Sequence, residues 1–206
     1  MQRGIMKNKK TVISICIIVL FIGSIILFNS FIGKGQSSRP LNILLNNINN
    51  NPNDYRSFKN IGNIYFSEGN LDEALRYYSL ALGINPGFSD VYNNIGLVYL
   101  KKKEYDRAIE YIGKAVDLTP QGSDSYNNMA MIYVAKKDFP KALEFFNKSI
   151  EIDSNNFIAL KNMGILYKDM GESSKAVNVW EKALQINNDH EVVENLRSLK
   201  EKSSTN

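Results

Sequence analysis

The sequence predicts an all-α solenoid: four helix–turn–helix units in tandem with short capping helices, preceded by one transmembrane helix. Three observations carry this. Tyr65, Tyr99, Tyr133 and Tyr167 stand 34 residues apart, as do Ala74, Ala108, Ala142 and Ala176. A fixed period of this size marks stacked supersecondary units rather than one globular core. Within each period the apolar residues form two stripes of helical spacing. Ahead of the periodic region, residues 11–32 carry no charge and are rich in Ile, Val, Leu and Phe.

Residues 1–10 read as a basic cytoplasmic N-terminus, with Arg3, Lys7, Lys9 and Lys10. As a helix, residues 11–32 would extend about 33 Å, enough to cross a hydrocarbon core of about 30 Å. Only Lys34 and Arg39 follow in the linker 33–40, and no acid occurs before Asp54. The excess of positive charge ahead of the segment predicts a single-pass plasma-membrane protein, N-terminus cytoplasmic and repeats extracytoplasmic. A cleaved signal peptide would have a shorter apolar stretch, about 7–15 residues, and a small-residue cleavage site. A lipoprotein site would need its Cys after the apolar run; Cys16 lies near the start of it, after Ile15.

Leu41, Leu44, Leu45 and Ile48 are spaced i, i+3, i+4, i+7, and Pro52 stands 34 residues before Pro86. Residues 41–54 therefore read as half a unit capping the N-terminal face. Four units follow, at 55–88, 89–122, 123–156 and 157–190. Counted from residue 55 as position one, position four is Phe58, Tyr92, Tyr126, Leu160; position seven is Ile61, Ile95, Met129, Met163; position eight is Gly62, Gly96, Ala130, Gly164. With the tyrosines at position eleven, this is the stripe of a first helix. Position 20 is always Ala; position 24 is Tyr78, Ile112, Phe146, Trp180; position 27 is Ala81, Ala115, Ser149, Ala183. That is a second helix. The small residue at position eight is expected to face the alanine at position 20, because antiparallel helices approach closely only through short side chains. Gly69 and Gly171 fall between helices, Pro140 near a helix start, and Pro86 and Pro120 after helix ends. Residues 191–206 read as a C-terminal cap and tail. Val192, Leu196 and Leu199 form its apolar stripe, and residues 201–206 are expected to fray.

This pattern resembles the tetratricopeptide repeat, a 34-residue helix–turn–helix unit, over residues 55–190. The departures are Leu160 in place of an aromatic at position four, and Ser154 and Asn188 where the closing proline is expected. The resemblance implies a scaffold that binds a protein or peptide along a concave groove lined by the first helices. The implied groove residues are Lys59, Asn63, Phe66, Asn93, Asn94, Leu97, Leu100, Asn127, Asn128, Met131, Val134, Lys161 and Ile165. The groove would be apolar along its middle, with amides beside it, and an amide can both donate to and accept from a peptide backbone. The competing reading is that the apolar set packs partly against the neighbouring unit and that the amides are structural. Some relatives clamp a C-terminal carboxylate with Lys and Asn. Lys59, Asn63 and Asn94 match the first three clamp positions, but the third unit offers Asp124 and Asn128, and Asp124 opposes a carboxylate.

The net charge of +4 belongs to the N-terminal flank. Six of the 25 basic residues and none of the 21 acidic ones precede residue 41, leaving 19 against 21 and a formal −2 beyond it. No nucleic-acid footprint follows. Lys101–Lys103 and Lys136–Lys137 read as solvated turns. The single Cys permits no intramolecular disulfide. The one histidine, His190, has no nucleophile or second ligand near it in sequence, and no phosphate-cradling loop or Cys/His cluster occurs. Neither enzyme activity nor a cofactor, metal or small-molecule substrate is expected. The leading function is a membrane-tethered adaptor for a protein or peptide partner. The alternative is a structural subunit of a cell-envelope assembly that oligomerises through its convex face or its anchor helix.

Overall fold

The computed structural model describes residues 39–204, all of whose regular structure is helical. The basic N-terminus, the expected membrane-spanning helix at 11–32 and most of the linker lie outside the described residues. Among the described residues, no helix is long and apolar enough to cross a membrane. The described chain divides into two units, the first ending at Asn46 and the second running from Asn47 onward. The division falls inside helix α1 (Arg39–Asn50), which starts two residues before the expected cap. On α1, Leu41 and Ile48 are buried and Leu44 and Leu45 half-buried, so the covered face is the one its apolar spacing marks.

The second unit holds the four repeats as helix pairs: α2 (Tyr55–Ser67) with α3 (Leu71–Ile84), α4 (Ser89–Lys101) with α5 (Tyr105–Leu118), α6 (Ser123–Ala135) with α7 (Phe139–Ile152), and α8 (Phe157–Asp169) with α9 (Ser173–Ile186). Helix α10 (His190–Ser204) follows, opening at His190 and continuing past the point where fraying was expected. Each first helix packs chiefly on its own second helix. The first helices of successive repeats also touch, α2 with α4, α4 with α6 and α6 with α8. They therefore line one side of the stack.

Positions seven, eight, 20, 24 and 27 are buried in every repeat and the position-eleven tyrosines half-buried, while the close approach differs in detail from the expectation. A methyl group added at Gly62 would stand 2.5 Å from Tyr78 Cε1; at Gly96 it would overlap Ile112, and at Gly164 the indole of Trp180. The small residue at position eight thus seats the large one at position 24; at Gly96 the added methyl would also stand 3.2 Å from Ala108 O of position 20, and Ala130 shares a core cluster with Ala142. The physical reason is volume. A large side chain crossing the helix pair needs a notch opposite it, supplied by the absent side chain in three repeats and, in the third, by the small methyl of Ala130 beside Phe146. Trp180 is fully buried in its notch, its Nε1 donating to Lys161 O at 3.1 Å.

Two further positions are shut that the sequence stripe left out. Position three (Ser57, Val91, Ser125, Ala159) is buried throughout, and so is position ten in Val98, Ile132 and Leu166. Ile132 clusters with Ala108 and Ile112 of the preceding repeat, and Leu166 with Ala142 and Phe146. A first helix in the stack has two neighbours, so its apolar arc is wider than that of a helix covering one core. Val192 and Leu196 of α10 close the far end against Ala176 and Trp180.

Polar contacts repeat as well. Lys102 Nζ reaches Asp72 and Lys136 Nζ reaches Asp106, each at 2.8 Å and each across a repeat boundary. These two turn lysines are therefore engaged rather than merely solvated, and the carboxylates hold both ammonium groups above the usual lysine range. Lys103 and Lys137 adopt φ of 62° and 61°, the left-handed conformation that Gly69 and Gly171 take at the equivalent position. At the other end of the first repeat, Asp54 caps α2, accepting from Ser57 N at 3.2 Å and Ser57 Oγ at 2.6 Å. The bond from the Ser57 hydroxyl holds the Asp54 carboxyl below its ordinary pKa.

Candidate peptide-binding groove

The groove-side residues come from α2, α4, α6 and α8, so helical geometry alone places them in rows. Leu97, Met131 and Ile165 at position nine are half-buried, as are Phe66, Leu100 and Val134 at position twelve. The packing alternative holds in part. Met131 and Val134 lean on the third-repeat core, Leu100 on the second and Ile165 on the last, each keeping an open flank. Phe66 is roofed by Lys101, whose Nζ lies 5.2 Å from the ring centroid.

The amides are mostly engaged with one another. Asn94 Nδ2 donates to Asn63 Oδ1 at 2.9 Å, Asn128 Nδ2 to Asn93 Oδ1 at 3.1 Å, and Asn162 Nδ2 to Asn127 Oδ1 at 3.0 Å. Each bond joins one repeat to the next, so the amides form a ladder that sets repeat spacing. Tyr78 OH also donates to Asn63 Oδ1, at 2.8 Å. Asn127 is 5% exposed and donates in turn to Asn128, which removes it from the accessible groove. A buried amide must satisfy both of its ends, and in this stack the neighbouring repeat is nearer than any ligand.

The two groove lysines are paired. Lys59 Nζ meets Asp90 Oδ2 at 3.2 Å and stands 5.0 Å above the Phe88 ring. Lys161 Nζ meets Glu191 Oε2 at 2.7 Å and Asp189 Oδ1 at 3.1 Å. The Glu191 bond, with that of Asp189, raises the Lys161 pKa. Asp189 caps α10 by accepting from Val192 N at 3.1 Å, and this bond together with Lys161 lowers its own pKa. Asp189 and Glu191, at the start of α10, thus neutralise the lysine at the last repeat's end. At the first repeat the lysine of the expected clamp set is likewise paired, Lys59 with Asp90, and Asn94 donates to Asn63.

A depression of about 480 Å³ opens where the first three repeats meet. Its wall includes Lys59, Asn63, Asn93 and Asn94 from the expected set, together with Asp90, Asp124 and the 119–123 turn. Asp90 and Asp124 occupy position two of their repeats and stand outside the expected groove set. The turn residues Thr119, Gln121 and Gly122 carry no periodic signal, since loop direction is not set by spacing.

Sequence models described as tetratricopeptide repeat match this chain at residues 55–88, and at 88–155 and 123–189. The chain belongs to the tetratricopeptide-repeat family. No curated protein sequence gives a significant match. Among solved structures it resembles a crystal structure of MamA, at 21% identity and TM-score 0.57, over 72% of this chain and 86% of that one. It also resembles YrrB, described as a TPR protein with an unusual peptide-binding site, at 22% identity and TM-score 0.54, over 78% and 84% of the two chains. A third likeness is to the APC/C hetero-tetramer Cut9–Hcn1, at 18% identity and TM-score 0.71, over 81% of this chain and 33% of that one. At these identities the likeness shows the tetratricopeptide-repeat fold. Such repeats mediate protein–protein or peptide interaction, and among the described residues no cluster of His, Cys, Asp and Glu could hold a metal ion.

Proposed function

We propose that this chain is a membrane-tethered adaptor that holds an extended protein or peptide segment along α2, α4, α6 and α8. One observation supports the groove above others. Leu97, Met131 and Ile165 recur at one helix position, each half-exposed, while the core positions beside them are shut. A row of open apolar flanks bordered by amides suits alternate side chains of an extended segment. The YrrB structure, with its stated peptide-binding site, supports a peptide reading for this fold. The tether rests on the uncharged apolar stretch 11–32 and its basic flank, which also favour an extracytoplasmic repeat domain.

Leu97→Glu and Met131→Glu test the groove. Both positions have open flanks, so circular dichroism should stay helical while partner capture is lost. Photo-crosslinking from position 131 in cells identifies the partner, and the same adduct must disappear in Leu97→Glu. Folded variants that still capture would refute the groove. For the tether, the intact chain should require detergent for release from membranes, and its repeats should be open to protease added outside intact spheroplasts. Free dispersion of the chain without detergent would refute it.

A further inference from the structure

We infer that the depression at the N-terminal ends of α4 and α6 seats a lysine or arginine side chain of the bound peptide. The inference rests on the groove reading and names the chemistry of its ligand. The depression is lined by one cation, Lys59, and two carboxylates, Asp90 and Asp124. Lys59 engages Asp90 through Oδ2 alone, and the Asp90 side chain remains 61% exposed. Asp124 accepts from Asn156 Nδ2 through Oδ1 at 3.1 Å. Each carboxylate thus has one oxygen engaged and a second available to a donor. The pocket carries one more negative than positive charge before any ligand arrives. A guanidinium or ammonium supplies donors only, and so complements this wall, whereas a carboxylate meets a cation already matched.

The amide ladder adds direction. Asn63 and Asn93 each use Oδ1 to accept from the next repeat, so their Nδ2 groups are the ends left for a ligand's backbone carbonyl. The acid is local to this edge. At the C-terminal ends of α4 and α8 stand Lys101, over Phe66, and Lys168, bonded to Asn195. A peptide lying across α2, α4 and α6 would therefore place its basic residue in the depression and its apolar side chains on Leu97 and Met131.

The test titrates the full-length chain, kept in nonionic detergent, with labelled peptides of matched length and apolar content bearing two basic, two neutral or two acidic residues. Basic peptides are expected to bind about tenfold tighter than neutral ones, from two exposed ion pairs. Asp90→Asn combined with Asp124→Asn should erase that preference. Lys59→Gln should strengthen basic-peptide binding severalfold by releasing Asp90, a gain that a merely structural role for the pair would not produce. Added salt should weaken the basic peptides selectively. If Leu97→Glu abolishes binding of neutral or acidic peptides while basic ones show no advantage, the groove stands and this assignment falls. An unchanged basic preference in the double Asn variant also overturns it. If no peptide of any charge binds, both readings fall.

Discussion

Glycine to alanine should have opposite signs at two helical positions of this chain. In an open helix interior the change removes backbone entropy cost and stabilises by about 1 kcal/mol. Gly113 lies inside α5 with nothing within 4 Å of the place its Cβ would occupy, so Gly113→Ala should gain that amount or slightly less. Gly164 lies inside α8, and its added methyl would overlap Nε1, Cδ1 and Cε2 of Trp180. The indole cannot simply swing aside, because it is fully buried and its Nε1 is bonded to Lys161 O. Moving it costs about 1–3 kcal/mol of overpacking and about 1 kcal/mol for the lost hydrogen bond. Against about 1 kcal/mol of helix propensity, the net is a loss of about 1–3 kcal/mol. A loss of about 2 kcal/mol corresponds to a fall of roughly 4–8 °C in Tm for a domain of this size.

Urea and thermal denaturation of wild type and both variants, followed by circular dichroism and by Trp180 emission, measure this. The chain has one Trp, so the emission reports the last repeat alone. Gly164→Ala should shift native emission to the red as the indole loosens, and Gly113→Ala should leave it in place. A Gly164→Ala protein as stable as wild type, with unchanged emission, would refute the notch as the reason for glycine at position eight.

Four other outcomes follow from the same structure. Ala142→Leu should cost about 1–3 kcal/mol, because Ala142 is fully buried among Ala130, Phe146 and Met163; an unchanged melting temperature would refute the packing of the third repeat. Lys103→Gly and Lys137→Gly should each stabilise by about 0.5–1 kcal/mol, the relief of left-handed strain exceeding the entropy cost of glycine; equilibrium unfolding gives the sign, and destabilisation would refute it. Asp54→Ala should cost about 1 kcal/mol at neutral pH through the lost cap. The folded pKa of Asp54 is lowered, so its contribution is complete above the unfolded carboxylate value, about 3.9, and declines as pH falls through the lower folded value; the stability gap between wild type and variant should therefore narrow in acid. Asn128→Ala should lower stability and uncouple the second repeat from the third, seen as broadened unfolding, since its amide bridges Asn93 and Asn127.

The legible part of this fold is the part that spacing dictates. A 34-residue period fixes four helix pairs because every repeat must present the same faces to the same neighbours. Pro140 and the glycines then place the turns. What spacing does not carry is which small residue opposes which large one. Position eight opposes position 24 in close packing, glycine against Tyr78, Ile112 and Trp180, and Ala130 against Phe146. Positions three and ten escaped the stripe because the sequence was read as one helix against one partner, whereas Ile132 and Leu166 each serve two.

The groove was legible as a row of positions and not as chemistry. Asn is abundant in the chain, and the ladder through Asn63, Asn94, Asn93, Asn128, Asn127 and Asn162 shows what that abundance does at these sites. An amide at position six reaches the preceding repeat only if that repeat offers another amide at position five or nine, so each asparagine makes the next one useful. Lys59 and Lys161 follow the same logic in charge. Read singly they suggest an anion site. Set beside Asp90 on one side, and Asp189 and Glu191 on the other, they become struts, and Asp124, on the wall of the depression, has no lysine or arginine beside it among the ion pairs of the described residues. Under the proposed peptide reading, recognition in this stack depends on which polar groups the repeats do not need for holding each other.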